Sequence, residues 1–120
     1  MHSFINQELG RIIIDESQIK GIFWSNKFED LTVDIDWCGQ EDLKEEIDFN
    51  NVKSLLIFEF VTEYEINFRF EESTMGAIEI TLFSFEFKEE KWAIEFKFRF
   101  HPVGYIRFNC NNFRFIVDTI

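Results

Sequence analysis

Two histidines and two cysteines are the residues of this chain best suited to chemistry. Histidine is the usual general base and metal ligand because its ordinary pKa lies near neutrality. His2 stands at the N-terminus, and His101 falls on the polar side of an alternating segment just before Pro102, where a surface histidine is the ordinary reading. Metal sites need several ligands at set spacings, such as C-x-x-C or H-E-x-x-H, and neither spacing occurs. Cys110 alternates with Ile106 and Phe108, the pattern of a small core residue rather than a nucleophile. Phosphate-loop, dinucleotide and nucleophile-elbow signatures do not occur either. The sequence predicts no catalytic residue, no cofactor and no metal.

Carboxylates are the remaining candidates. Asp34-Ile35-Asp36-Trp37-Cys38-Gly39, followed by Glu45, reproduces the first, third, sixth and twelfth positions of the EF-hand calcium loop. Cys38 takes the fifth, ligating position, and Glu41 replaces the apolar residue that joins paired loops. The segment upstream is patterned as a strand, whereas an EF-hand needs a helix. Glycosidase chemistry needs two carboxyls set across a groove. Glu63, Glu65, Glu79 and Glu95 all lie on polar sides of strands beside Arg69, Lys97 and Arg99, which reads as a solvated face with cross-strand charge pairs.

The acidity itself is uneven. Residues 29–48 hold nine acids, Glu29, Asp30, Asp34, Asp36, Glu41, Asp42, Glu45, Glu46 and Asp48, against one base, Lys44; the stretch carries eight of the eleven net negative charges. Charged loops keep small proteins soluble. A concentrated negative field also steers encounter with a basic partner. These nine acids, with Trp37 among them, are the candidate partner-binding residues. Nucleic acid and anionic membranes are disfavoured, because phosphate binding needs clustered Lys and Arg and here 12 basic residues face 23 acidic ones.

The elements that position these groups are strands. Leu31, Val33, Ile35 and Trp37 alternate with Thr32, Asp34 and Asp36; Tyr64, Ile66, Phe68 and Phe70 alternate with Glu63, Glu65, Asn67 and Arg69. Trp92 to Phe100 and Ile106 to Cys110 continue the rule. After Ile78, Ile80 and Leu82 the apolar phase slips to Phe83, Phe85 and Phe87, which predicts a β-bulge near Leu82–Phe83. Asn111-Asn112 predicts a two-residue hairpin turn. Ser3 and Gly10 bracket a short helix over Phe4–Leu9, and Leu43 and Ile47 could share one helical turn.

About eight strands result, an all-β antiparallel meander forming a sandwich or a strongly curled half-barrel, with residues 1–120 as one domain. The 17 phenylalanines promise a large core, since each ring buries about 150–250 Å². Phe68, Phe96, Phe98, Phe108 and Phe115 are expected inside. No export signal and no apolar run of about 18 residues is present, so a cytoplasmic protein with reduced thiols is expected. Pairing of two copies through an exposed strand edge is compatible with the pattern.

Asp15-Glu16-Ser17-Gln18-Ile19-Lys20-Gly21-Ile22 and Asp30-Leu31-Thr32-Val33-Asp34-Ile35-Asp36-Trp37 resemble the early segment of small all-β bacterial immunity proteins of polymorphic toxin systems, the wall-associated-toxin type included. Asp15 and Glu16 stand where that group has His and Asp. The resemblance covers the first third of the chain and transfers no site residue. It implies a non-enzymatic inhibitor that binds a cognate toxin, for which the acidic stretch would suit a basic target. The other readings are a carrier for a small apolar ligand, which would show an internal cavity, and a carboxylate hydrolase.

Titration calorimetry with calcium should find no micromolar site; one that Asp34→Ala abolishes would refute the strand reading of this stretch.

Overall fold

Strands with one apolar face are stable only when that face is covered, and two such sheets cover each other. The computed structural model describes residues 2–25, 27–37, 52–70, 78–100 and 102–119, and shows this solution. Among the described residues nine strands form: β1 (His2–Ile5), β2 (Gln18–Trp24), β3 (Leu31–Asp36), β4 (Val52–Glu59), β5 (Thr62–Arg69), β6 (Leu82–Lys88), β7 (Lys91–Arg99), β8 (Val103–Cys110) and β9 (Asn112–Thr119). They make a five-stranded sheet in the order β1-β9-β4-β3-β2 and a four-stranded sheet in the order β5-β8-β7-β6, with every pairing antiparallel. Among the described residues there is no α-helix.

The two sheets meet through aromatic rings. Phe58 of β4 touches Phe96 and Phe108 of the opposite sheet edge-on, at 6.1 and 4.8 Å between ring centroids, and stacks on Phe113 of its own sheet at 5.7 Å. Phe113 in turn meets Phe85 and Trp92 of the opposite sheet at 5.2 and 5.3 Å. Phe96, Phe98, Phe108 and Phe115 are buried as expected. Phe68 is only partly covered, because β5 is an outer strand.

The connectivity is not one continuous meander. β2-β3-β4 and β6-β7-β8 are each consecutive, but the chain changes sheets between β4 and β5 and again between β8 and β9. Asn111 therefore joins two sheets instead of turning a hairpin, and neither Asn111 nor Asn112 takes a positive φ. The two crossings lie side by side: the Asn111 amide donates to the Glu59 carbonyl at 2.9 Å, and Arg114 pairs with the Glu59 carboxylate at 2.8 Å.

The slip of phase near Leu82 has the same origin. Ile78 and Ile80 bond to the β2 side, with Ile19 N–H donating to the Ile78 carbonyl at 2.8 Å and Ile80 N–H to the Ser17 carbonyl at 2.9 Å. From Leu82 onward the chain pairs with β7, without a register shift through Lys88. Thr81 N–H also donates to the Lys97 carbonyl opposite Leu82, so two residues stand against one where the chain enters β6, a bulge one residue before the place the sequence predicts. Further register shifts fall between Ile19 and Gly21 and between Thr62 and Glu65.

At the N-terminus the expected short helix is a strand followed by a 3₁₀ helix over Asn6–Arg11. Burial decides this: Phe4 packs inward, stacked on Phe115 at 6.4 Å, while β1 pairs with β9. Leu43 and Ile47 lie outside the described residues.

Phe96 is 1% exposed and touches rings from both sheets. Denaturant unfolding of Phe96→Ala should show a loss of about 3–5 kcal/mol; a loss below about 1 kcal/mol would mean that the interface between the sheets is not where the stability resides.

A carboxylate-lined groove on the four-stranded sheet

The outer face of the four-stranded sheet carries the polar half of each alternation. The pairing puts Glu65, Arg107, Glu95 and Ser84 in one row across β5, β8, β7 and β6, and Asn109, Ala93 and Glu86 in the next. Ser84 and Ala93 are short, so the sheet is low between their long neighbours. The bulge in β5 adds to the relief: Glu63, at φ 54, sits in the left-handed region that non-glycine residues rarely take. Its carboxylate accepts from Asn109 Nδ2 at 2.6 Å. Bulges next to binding sites commonly re-aim a side chain in this way.

The result is a groove of about 550 Å³ that includes Glu63, Glu65, Glu86, Glu95, Ser84 and Ala93 in its lining, with Arg107 as its one basic residue. A smaller hollow of about 270 Å³ shares Glu63 and Asn109 and brings in Lys88 and Lys91. The groove therefore runs from an acidic centre to a mixed-charge end.

Arg107 is already engaged. Its Nε donates to Glu65 Oε2 at 2.8 Å, its Nη2 to the Tyr105 hydroxyl at 3.3 Å, and its guanidinium carbon lies 4.2 Å from the centre of the Tyr105 ring. Tyr105 O–H donates to the other Glu65 oxygen at 3.0 Å. The bonds from Arg107 and then Tyr105 hold the Glu65 carboxyl below the ordinary glutamate range. Such a group stays ionised and accepts bonds. A glycosidase acid needs the opposite shift. Lys97 Nζ stands 3.5 Å from Glu95 Oε1 at the groove's flank.

The acidic residues singled out from the sequence divide between places. Asp34 and Asp36 belong to the outward side of β3 in the other sheet, opposite Gly21 and Gln18 of β2. The first positions of the calcium-loop match thus lie in a strand. Glu29 and Asp30 sit at the end of the sandwich where the chain crosses into β5. There Val61 N–H donates to the Glu29 carbonyl at 2.7 Å and Phe60 N–H to Asp30 Oδ1 at 3.0 Å. Asp30 thereby holds the amide of Phe60, whose φ is 55, two residues before β5 begins. Glu41, Asp42, Glu45, Glu46 and Asp48 lie outside the described residues, as do Cys38 and His101.

Trp37 is a core residue rather than part of a docking surface. It is 5% exposed, donates from Nε1 to the Ile13 carbonyl at 2.8 Å and meets Phe115 edge-on at 5.1 Å. The sequence already pointed there, since Trp37 shares its phase with Leu31, Val33 and Ile35. Cys110 is fully buried and burial pushes its thiol up to about 12, so it remains protonated and unreactive near neutrality. Among the described residues no group of three His, Cys, Asp or Glu side chains is arranged to hold a metal, and no helix is long and apolar enough to cross a membrane.

The Glu65 pairing has a pH signature. Its folded pKa is depressed, so the bond to Arg107 is present above the ordinary glutamate pKa and is lost as pH falls through the lowered one. A carbon-detected NMR titration should give a Glu65 midpoint below that of an exposed glutamate, and Arg107→Gln should bring it back up. An unshifted midpoint in the unsubstituted protein would remove the pairing from the description of the groove.

The sequence matches no protein family and no curated protein at a significant level. The fold does have a structural likeness: over 100% of both chains it superposes, with a TM-score of 0.59 and 9% sequence identity, on the crystal structure of an uncharacterized protein from Neisseria gonorrhoeae. At that identity the likeness concerns the fold, a two-sheet antiparallel sandwich that both chains share.

Proposed function

We propose that this chain is a non-enzymatic protein-binding module whose acidic groove receives a basic segment of a partner, and that its sharpest form is a bacterial immunity protein neutralising a cognate toxin in the cytoplasm. The observation that carries the reading is the groove lining: four carboxylates around a single guanidinium that is already bonded to one of them. Negative charge gathered in a concave surface focuses the field, raising the encounter rate with a cationic partner by about 10–10³-fold. Glu63 and Glu65 are held by Asn109, Arg107 and Tyr105 before any partner arrives, so less side-chain freedom is lost on binding. Phe28 and Phe60 are exposed beside Glu29 and Asp30 at the end of the groove strand. Aromatic groups of that kind often anchor protein interfaces. The resemblance to toxin-immunity proteins points in the same direction.

Glu65 fits the acid of a glycosidase pair poorly, because it is tuned to stay ionised. An apolar carrier fits the interior poorly, because ring contacts between Phe58, Phe96, Phe108 and Phe113 occupy the space between the sheets.

Kinetics of an arginine-rich peptide on the immobilised protein, at two salt concentrations, test the reading. Reversing Glu63, Glu86 and Glu95 to Lys should slow association by about ten-fold or more and flatten its salt dependence. Reversing Asp42, Glu45 and Glu46 to Lys tests the acidic stretch in the same assay. If the groove variant associates at an unchanged rate, the groove is not the docking surface; if neither variant slows, the acidity serves solubility alone.

A further inference from the structure

A sandwich of two open sheets has four outer strands, and each presents backbone donors and acceptors that invite another strand. Two of the four are blunted here, and a third, β6, is capped at one end only. β2 is met by residues 78–80, through Ile19 N–H to the Ile78 carbonyl and Ile80 N–H to the Ser17 carbonyl. β6 has its first outward amide, that of Phe83, capped by Asp15 Oδ1 at 2.7 Å. β1 spans only four residues and runs straight into the 3₁₀ helix. β5 is different. Beyond its bulge the ladder with β8 is regular from Glu65 to Arg69, and among the described residues nothing pairs with its other side.

The direction of its amides follows from the ladders. The two-residue turn Glu89-Glu90, both with positive φ, makes Lys88 and Lys91 a hydrogen-bonded pair. Alternation through β7 and β8 then turns the backbone groups of Glu65, Asn67 and Arg69 toward β8, and those of Ile66 and Phe68 outward. Gly104 agrees with this: a Cβ there would lie 1.7 Å from the Asn67 carbonyl oxygen, which therefore points at β8. The same outward stretch exposes apolar side chains, with Ile66 47% and Phe70 53% accessible.

We propose that β5 is the docking edge for a second copy of this chain, paired antiparallel about a two-fold axis at Asn67. The strand's own charge order selects this occupant. With Asn67 opposite its symmetry copy, Glu65 faces Arg69 of the other copy, and Arg69 faces Glu65 in return. Ile66 and Phe68 exchange backbone bonds, and Tyr64 lies opposite Phe70. Opposite charges directly across an antiparallel pair stabilise it, and an isologous contact repeats each gain. Glu65 already accepts one bond on each oxygen, from Arg107 and Tyr105, and a carboxylate can accept about four. The union joins two four-stranded sheets into one continuous sheet and covers the Ile66 and Phe70 side chains. It shares Glu65 with the groove but can fail separately from the groove reading, since Ile66 and Phe68, which carry its backbone bonds, have side chains on the opposite face of β5 from the groove carboxylates.

Sedimentation velocity over a wide concentration range, at physiological ionic strength where repulsion is screened beyond about 8 Å, is the test. The unsubstituted protein should pass from monomer to dimer, and Ile66→Lys should stay monomeric, with an unchanged thermal midpoint at concentrations where both proteins are monomers. Arg69→Glu, which sets like charges across the axis, should weaken the dimer at least about two-fold. Hydrogen exchange locates the contact, because the Ile66 and Phe68 amides should become protected as concentration rises. A protein that remains monomeric at its highest soluble concentration overturns the proposal. So does a dimer that survives Ile66→Lys or leaves those amides unprotected.

Discussion

The contact between Phe58 and Phe113 is the interaction on which the rest of the sandwich depends. These two rings stack within one sheet and between them reach Phe96, Phe108, Phe85 and Trp92 of the other. A chain of this length has little core to spare, and rings supply much of it, each removing about 150–250 Å² from water. One consequence concerns function. With the inner faces committed to ring packing, recognition is left to the outer faces, the ends of the sandwich and the strand edges. The groove, the Phe28–Phe60 corner and the β5 edge occupy those three kinds of place.

A second constraint is the stitch between residues 13–19 and 78–83. Glu16 N–H to the Ile80 carbonyl, Ile80 N–H to the Ser17 carbonyl and Phe83 N–H to Asp15 form a short ladder linking the two sheets along one side. It holds the chain where it leaves one sheet and enters the other. Asp15, Glu16 and Ser17 are also the residues on which the family resemblance begins. Their work in this molecule is structural: Asp15 caps a strand edge, Glu16 takes a left-handed φ of 71, and Ser17 is buried.

The strands were legible because each has one wet face. Leu31, Val33 and Ile35 are buried and alternate with half-exposed or exposed neighbours, and Ile106, Phe108 and Cys110 do the same. What the alternation does not encode is the partner of each strand. Asn111-Asn112 has the composition of a tight hairpin, yet it links two sheets, because β9 belongs beside β4 rather than β8. β1 was missed for the same reason: its strand character comes from pairing with β9 at the far end of the sequence. The groove was illegible too. Its carboxylates were plain in the sequence, but the short residues that hollow it, Ser84 and Ala93, become informative only when register places them among Glu95, Glu86 and Asn109. Trp37 was misassigned despite a readable signal, because its acidic neighbours outweighed its phase.

The position of β9 has a consequence for how the molecule is made. The last strand of the chain lies inside the five-stranded sheet, between β1 and β4. During ribosomal synthesis, which adds about 5–20 residues per second, the flanks of β1 and β4 that face β9 stay unpaired until β9 has emerged. The first strand and the last must then find each other across nearly the whole sequence, a non-local closure of the kind that slows folding to about the millisecond-to-second range. The second sheet closes sooner, since β6, β7 and β8 pair in the order of their synthesis and β5 has its partner once β8 has emerged. Its early completion would leave the apolar faces of two unfinished strands as the surfaces that a nascent chain must keep from its neighbours.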